Sequence, residues 1–355
     1  MSLPFGRIHN FSAGPSALPV EVLAELAEGI YNHEGAGMGV MEMSHRSPEF
    51  EAILAQTEAD LRELLSVPPN FRVLFLQGGA STQFSLLPMN FGDGGAHIIT
   101  GTWGQKAVEV NPTAKVVHDT GAPYRSIPTS LEFSVDAPYL HITSNETIQG
   151  VQLPSFVSAN VPVVADVSSD ILSRPIEFDG VGLLYAGAQK NLGPAGVTIV
   201  LIRQDFLDRA KCDVPMSSYS VQAKSGSLYN TPPTWSIYVT GRVLAYWKRL
   251  GGLPTIAAQN AAKAKLIYDA IDGSDGFYLG HADRDARSQM NVTFTLRDAS
   301  LTSTFLLLAE AVGLSGLAGH RSVGGVRASL YNGVPLASAI ALADFMNAFA
   351  GAKGL

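Results

Sequence analysis

Tyr185-Ala-Gly-Ala-Gln-Lys190-Asn-Leu-Gly-Pro194 decides how the chain is read. A lysine follows the apolar run Val181 to Ala186 and a pair of small residues. A Gly/Pro turn comes next, then a second apolar run, Val197 to Ile202. Lysine is ordinarily a solvated surface charge. Here the flanks are apolar or small, so the amine stands where the chain is heading inside. The same grammar recurs upstream. Val161 to Asp166 is an apolar run that ends in an acid, and Arg72 to Gln77 ends in Gly78-Gly79-Ala80-Ser81. His97 to Thr100 and Tyr139 to Thr143 are further short apolar runs. Such runs lack polar alternation, which predicts strands covered on both faces. With helical stretches between some of them, the expected class is α/β: a large, mostly parallel sheet with helices on both faces.

Ser47 to Ser66 predicts a helix, with Ser47 as N-cap and Pro48 in the first helical position. Phe50, Ile53, Leu54, Leu61, Leu64 and Leu65 fall on one face of it. The composition changes near Leu250-Gly251-Gly252. Beyond it, Pro254 to Ile271, Thr302 to Val312 and Pro335 to Ala350 read as helices, and Met290 to Leu296 and Val326 to Leu330 as strands. This tail predicts a smaller α+β C-terminal domain. The expected division is 16–250 for a large cofactor-binding domain and 251–355 for the small one, with 1–15 packing on the latter. The stretch Val117 to Ser134 carries no clear pattern.

The chemistry follows from where the lysine and the acid sit. Pyridoxal 5'-phosphate acts as an electron sink only while its ring nitrogen stays protonated, which a buried carboxylate opposite that nitrogen ensures. A lysine forms the imine with its aldehyde. Open α/β sheets gather ligands at the carboxyl ends of their strands, where both Lys190 and Asp166 are expected. Gly78 to Thr82 then supplies a turn whose free amides cradle a phosphate at a helix N-terminus. Trp103, in Thr100-Gly-Thr-Trp-Gly104, is placed to stack on a ring. Gly35-Ala-Gly-Met-Gly39 lacks the spacing and the preceding strand of a dinucleotide loop.

Composition removes several classes. The net charge of −7 comes without a basic stripe, which argues against nucleic acid. A single cysteine, Cys212, excludes an intramolecular disulfide and a cysteine-rich zinc site, and no metal is expected. Val197 to Ile202 is far short of the roughly 20 residues that span a bilayer. No signal peptide is legible, so a cytoplasmic protein is expected. The glycosylation triplets Asn145-Glu146-Thr147 and Asn291-Val292-Thr293 are read as chance.

Longer stretches carry a resemblance. They are Asn10-Phe-Ser-Ala-Gly-Pro15, Glu42-Met-Ser-His-Arg46, Gln77-Gly-Gly-Ala-Ser81, Asn145-Glu-Thr-Ile-Gln-Gly150, Asp166-Val-Ser-Ser-Asp-Ile-Leu-Ser-Arg-Pro175, Tyr185 to Gly196, Tyr229-Asn-Thr-Pro-Pro233, and Gly319-His-Arg-Ser-Val-Gly-Gly-Val-Arg-Ala-Ser329. In this order the chain resembles the phosphoserine aminotransferase family, in the class V group of fold type I pyridoxal-phosphate enzymes. The resemblance implies Lys190 as the Schiff-base lysine and Asp166 as the partner of the ring nitrogen. It implies Trp103 on the ring, Thr147 near the phenolic oxygen, and Ala80, Ser81 and Gln189 at the cofactor phosphate. Asn230 and Thr231 would reach that phosphate from a second subunit, making a homodimer with shared active sites. His45-Arg46 and His320-Arg321 resemble the family's substrate-phosphate pairs, and Arg327 its α-carboxylate clamp.

The implied reaction is a ping-pong transamination. Glutamate leaves as 2-oxoglutarate, and 3-phosphohydroxypyruvate becomes phosphoserine. Phosphorylated 4-hydroxythreonine, on the way to vitamin B6, is a second substrate the family allows. An alanine/glyoxylate type of class V aminotransferase is the alternative reading. A desulfurase would need a reactive cysteine, for which Cys212 has no support. A non-catalytic anion-binding regulator on the same scaffold is the reading outside catalysis.

Overall fold

A computed structural model describes residues 3–353. Residues 1, 2, 354 and 355 of the two terminal ranges lie outside it. Seven strands make the main sheet: β1 (Phe71–Leu76), β2 (Ala96–Ile99), β3 (Lys115–Asp119), β4 (Leu140–Thr143), β5 (Val163–Asp166), β6 (Val181–Gly187) and β7 (Thr198–Arg203). Their order across the sheet is β1-β7-β6-β5-β4-β2-β3. Neighbours from β6 to β3 pair parallel, while β7 runs antiparallel to both β6 and β1. The apolar run Val197 to Ile202 announces that strand but not its direction, because burial on both faces is the same either way. β3 is an edge strand with exposed valines, Val116 and Val117. That explains why its surroundings carry no burial pattern.

Helices cover both faces. They include α1 (Val20–Tyr31), α2 (Pro48–Leu65), α3 (Gly79–Phe91), α4 (Thr102–Glu109) and α5 (Thr234–Arg249). On one face Phe50, Leu61, Phe75, Ile98, Leu140, Ile199 and Trp247 share a core. On the other, Phe84, Leu87, Tyr185, Val200 and Tyr219 share a second. The start of α2 is as its sequence requires, since Ser47 Oγ accepts from the Phe50 amide at 3.3 Å and Pro48 opens the helix.

Beyond Gly251, whose φ of 99° breaks the chain between two helices, come α6 (Gly252–Asp272), β8 (Tyr278–Gly280), β9 (Asn291–Leu296), α7 (Thr302–Ala311), β10 (Val326–Ser329) and α8 (Leu336–Ala352). β8, β9 and β10 form an antiparallel sheet in that order. Phe11, Ile267, Val292, Phe294, Phe305, Leu342 and Met346 build its core. His9 and Asn10 pair with Leu314 and Ser315, so the N-terminal segment belongs to this cluster. Lys263 is buried here and donates to the carbonyls of Leu330, Tyr331 and Val334 at 2.8, 2.8 and 3.0 Å. That bond set fixes the turn that leaves the strand of Arg327.

No helix among the described residues is long and apolar enough to cross a membrane. Both glycosylation-like asparagines are buried, and Asn145 donates to Asn291 at 2.9 Å, so neither is an acceptor.

Candidate active site

The site assembles from strand ends. β4, β5 and β6 are adjacent and parallel, so their carboxyl ends open on one edge of the sheet. After β4 comes Thr147, at the end of β5 stands Asp166, and after β6 comes Lys190. Lys190 Nζ donates to Thr147 Oγ1 at 2.7 Å. Trp103, in the first turn of α4 after β2, has its ring centroid 5.9 Å from the same amine. The N-terminal segment closes over the lysine. Ser16 N donates to the Gln189 carbonyl at 2.9 Å, and the Ser16 hydroxyl donates to the Lys190 carbonyl. Gly14 lies over the Lys190 side chain with a φ of 136°, a conformation that side chains rarely adopt, which accounts for a glycine in that motif.

Asp166 is 5% exposed, and its Oδ1 accepts from the Ser168 amide at 2.9 Å. Burial pushes its carboxyl above the ordinary value, while the Ser168 bonds and the Lys190 charge pull the other way. A buried acid raised by desolvation is one that gains most from a cationic partner. β1 leads through Gly78 (φ 97°) into α3, whose first residues include Ala80 and Ser81. The opening amides of an α-helix have no partner within the helix, so this end presents donors beside the cleft. Thr82 Oγ1 bonds the Gly78 carbonyl at 2.7 Å, and a Cβ at Gly78 would lie 2.3 Å from that oxygen. The turn therefore demands glycine twice over, for its φ and for its space.

Arg327 arrives from β10, and its Nη1 reaches the Thr147 carbonyl at 3.5 Å. His320 and Arg321 lie in the tight turn before that strand, with His320 Nδ1 2.8 Å from Ser322 Oγ. Burial lowers the His320 pKa, and the charges of Arg327, Arg321 and Lys106 lower it further. Arg327, Arg321 and Lys106 are thus each within electrostatic reach of His320. Lys106 sits 4.5 Å over the Trp103 ring. Sequence alone does not single it out; its position over the Trp103 ring does. Glu146, wholly buried between Asn145 and Thr147, is a second residue that the motif contained without distinguishing.

The remaining residues make no such bonds. No hydrogen bond or ion pair joins His45 or Arg46 to Lys190, Asp166 or Arg327 among the described residues. Arg46 is exposed, and His45 Nε2 is buried without a partner. Asn230 and Thr231 lie on an exposed loop, where Gln77 Nε2 donates to the Thr231 carbonyl at 3.0 Å.

The geometry now meets known proteins. The class-V aminotransferase profile matches residues 8–337. A phosphoserine aminotransferase of Shouchella clausii is 51% identical over 350 residues, spanning 96% of each chain. The chain belongs to the phosphoserine aminotransferase family of class V aminotransferases.

Family members of known structure superpose closely. One described for radiation damage of its Schiff base shares 48% identity at a TM-score of 0.94, covering 98% of this chain and 99% of that one. The pyridoxal-phosphate-bound phosphoserine aminotransferase of Trichomonas vaginalis shares 38% at 0.88, covering 96% and 99%. The architecture is accordingly that of the fold type I aminotransferases, and the chain is an enzyme of that class. The residues present fit the cofactor bound in the Trichomonas structure. A buried acid and an aromatic ring stand within reach of an amine held by one hydroxyl, a helix N-terminus follows the neighbouring strand, and the Trp103 Nε1 is buried without a partner.

Proposed function

We propose that this enzyme is a phosphoserine:2-oxoglutarate aminotransferase that uses pyridoxal 5'-phosphate. It exchanges an amino group between glutamate and 3-phosphohydroxypyruvate in serine biosynthesis, with phosphorylated 4-hydroxythreonine as a further substrate. One observation carries the reading. In an acidic chain, Arg321, Arg327 and Lys106 lie within electrostatic reach of His320, Lys106 and Lys190 share the Trp103 ring, Arg327 and Lys190 both reach Thr147, and none of Arg321, Arg327 and Lys106 has a carboxylate ion partner among the described residues. Cations left unpaired in a chain with 31 acids are placed for an anionic ligand. Phosphoserine carries two such groups, a phosphate and a carboxylate.

Bound at Lys190, the cofactor supplies the electron sink that makes a substrate Cα–H acidic. The chain does the rest. Lys190 Nζ holds the cofactor and afterwards carries a proton to and from the substrate α-carbon. Asp166 keeps a positive charge on the ring nitrogen. Trp103 and Thr147 orient the ring, and Ala80, Ser81 and Gln189 hold the phosphate of the cofactor. Arg327 takes the α-carboxylate. His320 and Arg321 take the phosphate of phosphoserine or the side-chain carboxylate of glutamate.

The working unit is proposed to be a homodimer, located in the cytoplasm. His45 and Arg46 would complete the substrate site of a second copy, and Asn230 and Thr231 its cofactor phosphate site. Supporting this, none of the four bonds to Lys190, Asp166 or Arg327 among the described residues, and Met41 and Tyr229 near them in sequence are 57% and 44% exposed. The large domain is taken as 16–250 and the small one as 251–355 with 1–15; two separate apolar clusters support a two-lobed division, although Ala17 packs with the smaller cluster and Leu253 and Ile256 with the larger.

Specificity provides the test. Replacing Arg46 and Arg321 together with alanine is expected to lower kcat/KM for phosphoserine by about 10²–10⁴-fold, since losing a charged hydrogen-bond partner costs about 2–5 kcal/mol. Activity with alanine as donor should change by less than about threefold, because alanine has no second anion for these groups to bind. Equal losses with both donors, measured by steady-state kinetics, would favour the alanine/glyoxylate reading.

A further inference from the structure

Glu146 has no part in the reaction described above, yet it is a carboxylate with no solvent exposure. Its Oε2 accepts from the Trp103 amide at 2.9 Å and its Oε1 from the Gly104 amide at 2.8 Å. Gln149, three residues on, accepts from the Thr102 amide at 3.3 Å and donates to the Thr102 hydroxyl at 2.7 Å. Three consecutive amides at the start of α4 are thereby held by side chains of one short hairpin, Asn145–Glu146 with Val151–Gln152.

Helix caps normally come from the residue just before the helix. Here that residue is Gly101, which has no side chain. A Cβ there would lie 2.4 Å from Glu146 Cδ, so glycine at 101 leaves the space the carboxylate occupies. The hairpin itself is fixed. Asn145 donates to Ser169 Oγ at 2.8 Å and to Asn291 Oδ1 at 2.9 Å. The next residue after Glu146 is Thr147, which receives the Lys190 amine. Two neighbouring residues thus hold the aromatic ring on one side and the amine on the other.

We propose that Glu146 is a positioning residue that sets Trp103 against Lys190 by clamping the first turn of α4. The inference rests on the proposed cofactor site and adds to it a residue that touches no ligand. Burial pushes the Glu146 carboxyl up to about 7 against the pull of its two amides, and the charges of Asp166 and Lys190 act on it from β5 and from the turn after β6. Tyr124 and Tyr185 are the other titratable groups that feel it, and both are themselves raised by burial. Above that pH the carboxylate accepts from both amides. Below it one oxygen carries a proton toward an N–H, and the clamp loosens.

The test uses the full chain with Glu146→Gln and Glu146→Ala, with and without pyridoxal phosphate. Without the cofactor, amide hydrogen exchange over residues 102–109, corrected for intrinsic rate, is expected to speed up about 10-fold in both variants, as loss of a helix cap implies. Wild-type protection there should rise as pH passes through about 7, and the Glu146→Gln profile should be flat. With the cofactor, the visible circular dichroism of the bound ring should fall by about half or more. In the same samples kcat should fall about 10–100-fold with KM for the amino donor within about threefold, as expected for a group that shapes orientation rather than binding. Unchanged exchange and unchanged dichroism would overturn the inference, whatever the activity. If Glu146→Ala does not fold, Glu146→Gln decides on the same readouts. The exchange experiment needs no substrate, so a failure to respond to phosphoserine would count against the proposed reaction and leave this result standing.

Discussion

Lys190→Ala is expected to lower kcat by about 10⁴-fold or more, because it removes the group proposed as both the covalent anchor and the proton carrier at the substrate α-carbon. The fold should be indifferent. The Lys190 amine makes one hydrogen bond, to Thr147 Oγ1, and no ion pair among the described residues. Thermal melting should therefore stay within a few degrees of wild type. The visible band of lysine-bound cofactor should vanish, although the proposed phosphate cradle at Gly78 to Ser81 should still bind the cofactor reversibly. Added methylamine should restore part of the turnover by supplying a free amine. A variant with wild-type turnover would remove Lys190 from the mechanism altogether.

Asp166→Asn should be the next most damaging change. It keeps the shape of the side chain and an oxygen to accept the Ser168 amide at 2.9 Å. What it loses is the negative charge proposed to keep the ring nitrogen protonated. Breaking a buried charge pair from one side costs about 3–5 kcal/mol, so kcat/KM should fall about 10²–10⁴-fold. The variant should fold at least as well as wild type without cofactor, and the sign follows from the direction of the Asp166 shift. Its pKa is raised in the folded chain, mainly by burial, so ionised Asp166 opposes folding, and the penalty grows as pH rises above the ordinary carboxylate value. A melting comparison of the cofactor-free proteins at pH 5 and pH 8 should show the variant gaining on wild type at the higher pH. Activity near wild type with either donor would separate Asp166 from the ring nitrogen.

Much of this site is legible in sequence because it lies at strand ends. Val163 to Asp166 and Val181 to Ala186 announce buried strands, and a charge at or just beyond the end of such a strand has to face a cleft or a partner. Ser47-Pro48 marks a helix start through capping chemistry, and the helix begins there. Other features depend on three-dimensional facts that no window of sequence contains. The direction of β7 depends on which neighbour it joins. β3 is an edge strand whose exposed Val116 and Val117 break the apolar rule. Glu146 reads as one polar residue in a motif, and its burial depends on Gly101, 45 positions upstream, leaving room for it. Lys106 reads as a solvated helix residue until Trp103 and His320 are seen beside it. The two His-Arg pairs read as pairs in sequence, and in the single chain His320-Arg321 stands within electrostatic reach of Arg327. His45-Arg46 must be completed by a second copy if the proposed dimer is right.

The most direct measurement of the central claim is the visible spectrum of the purified enzyme with pyridoxal phosphate, recorded before and after phosphoserine is added. The account predicts a band of lysine-bound cofactor that converts to the aminated form with phosphoserine and with glutamate, and weakly or not at all with alanine. A band that ignores phosphoserine and converts with alanine would contradict the anionic-substrate reading, and the absence of any band would contradict the assignment of Lys190.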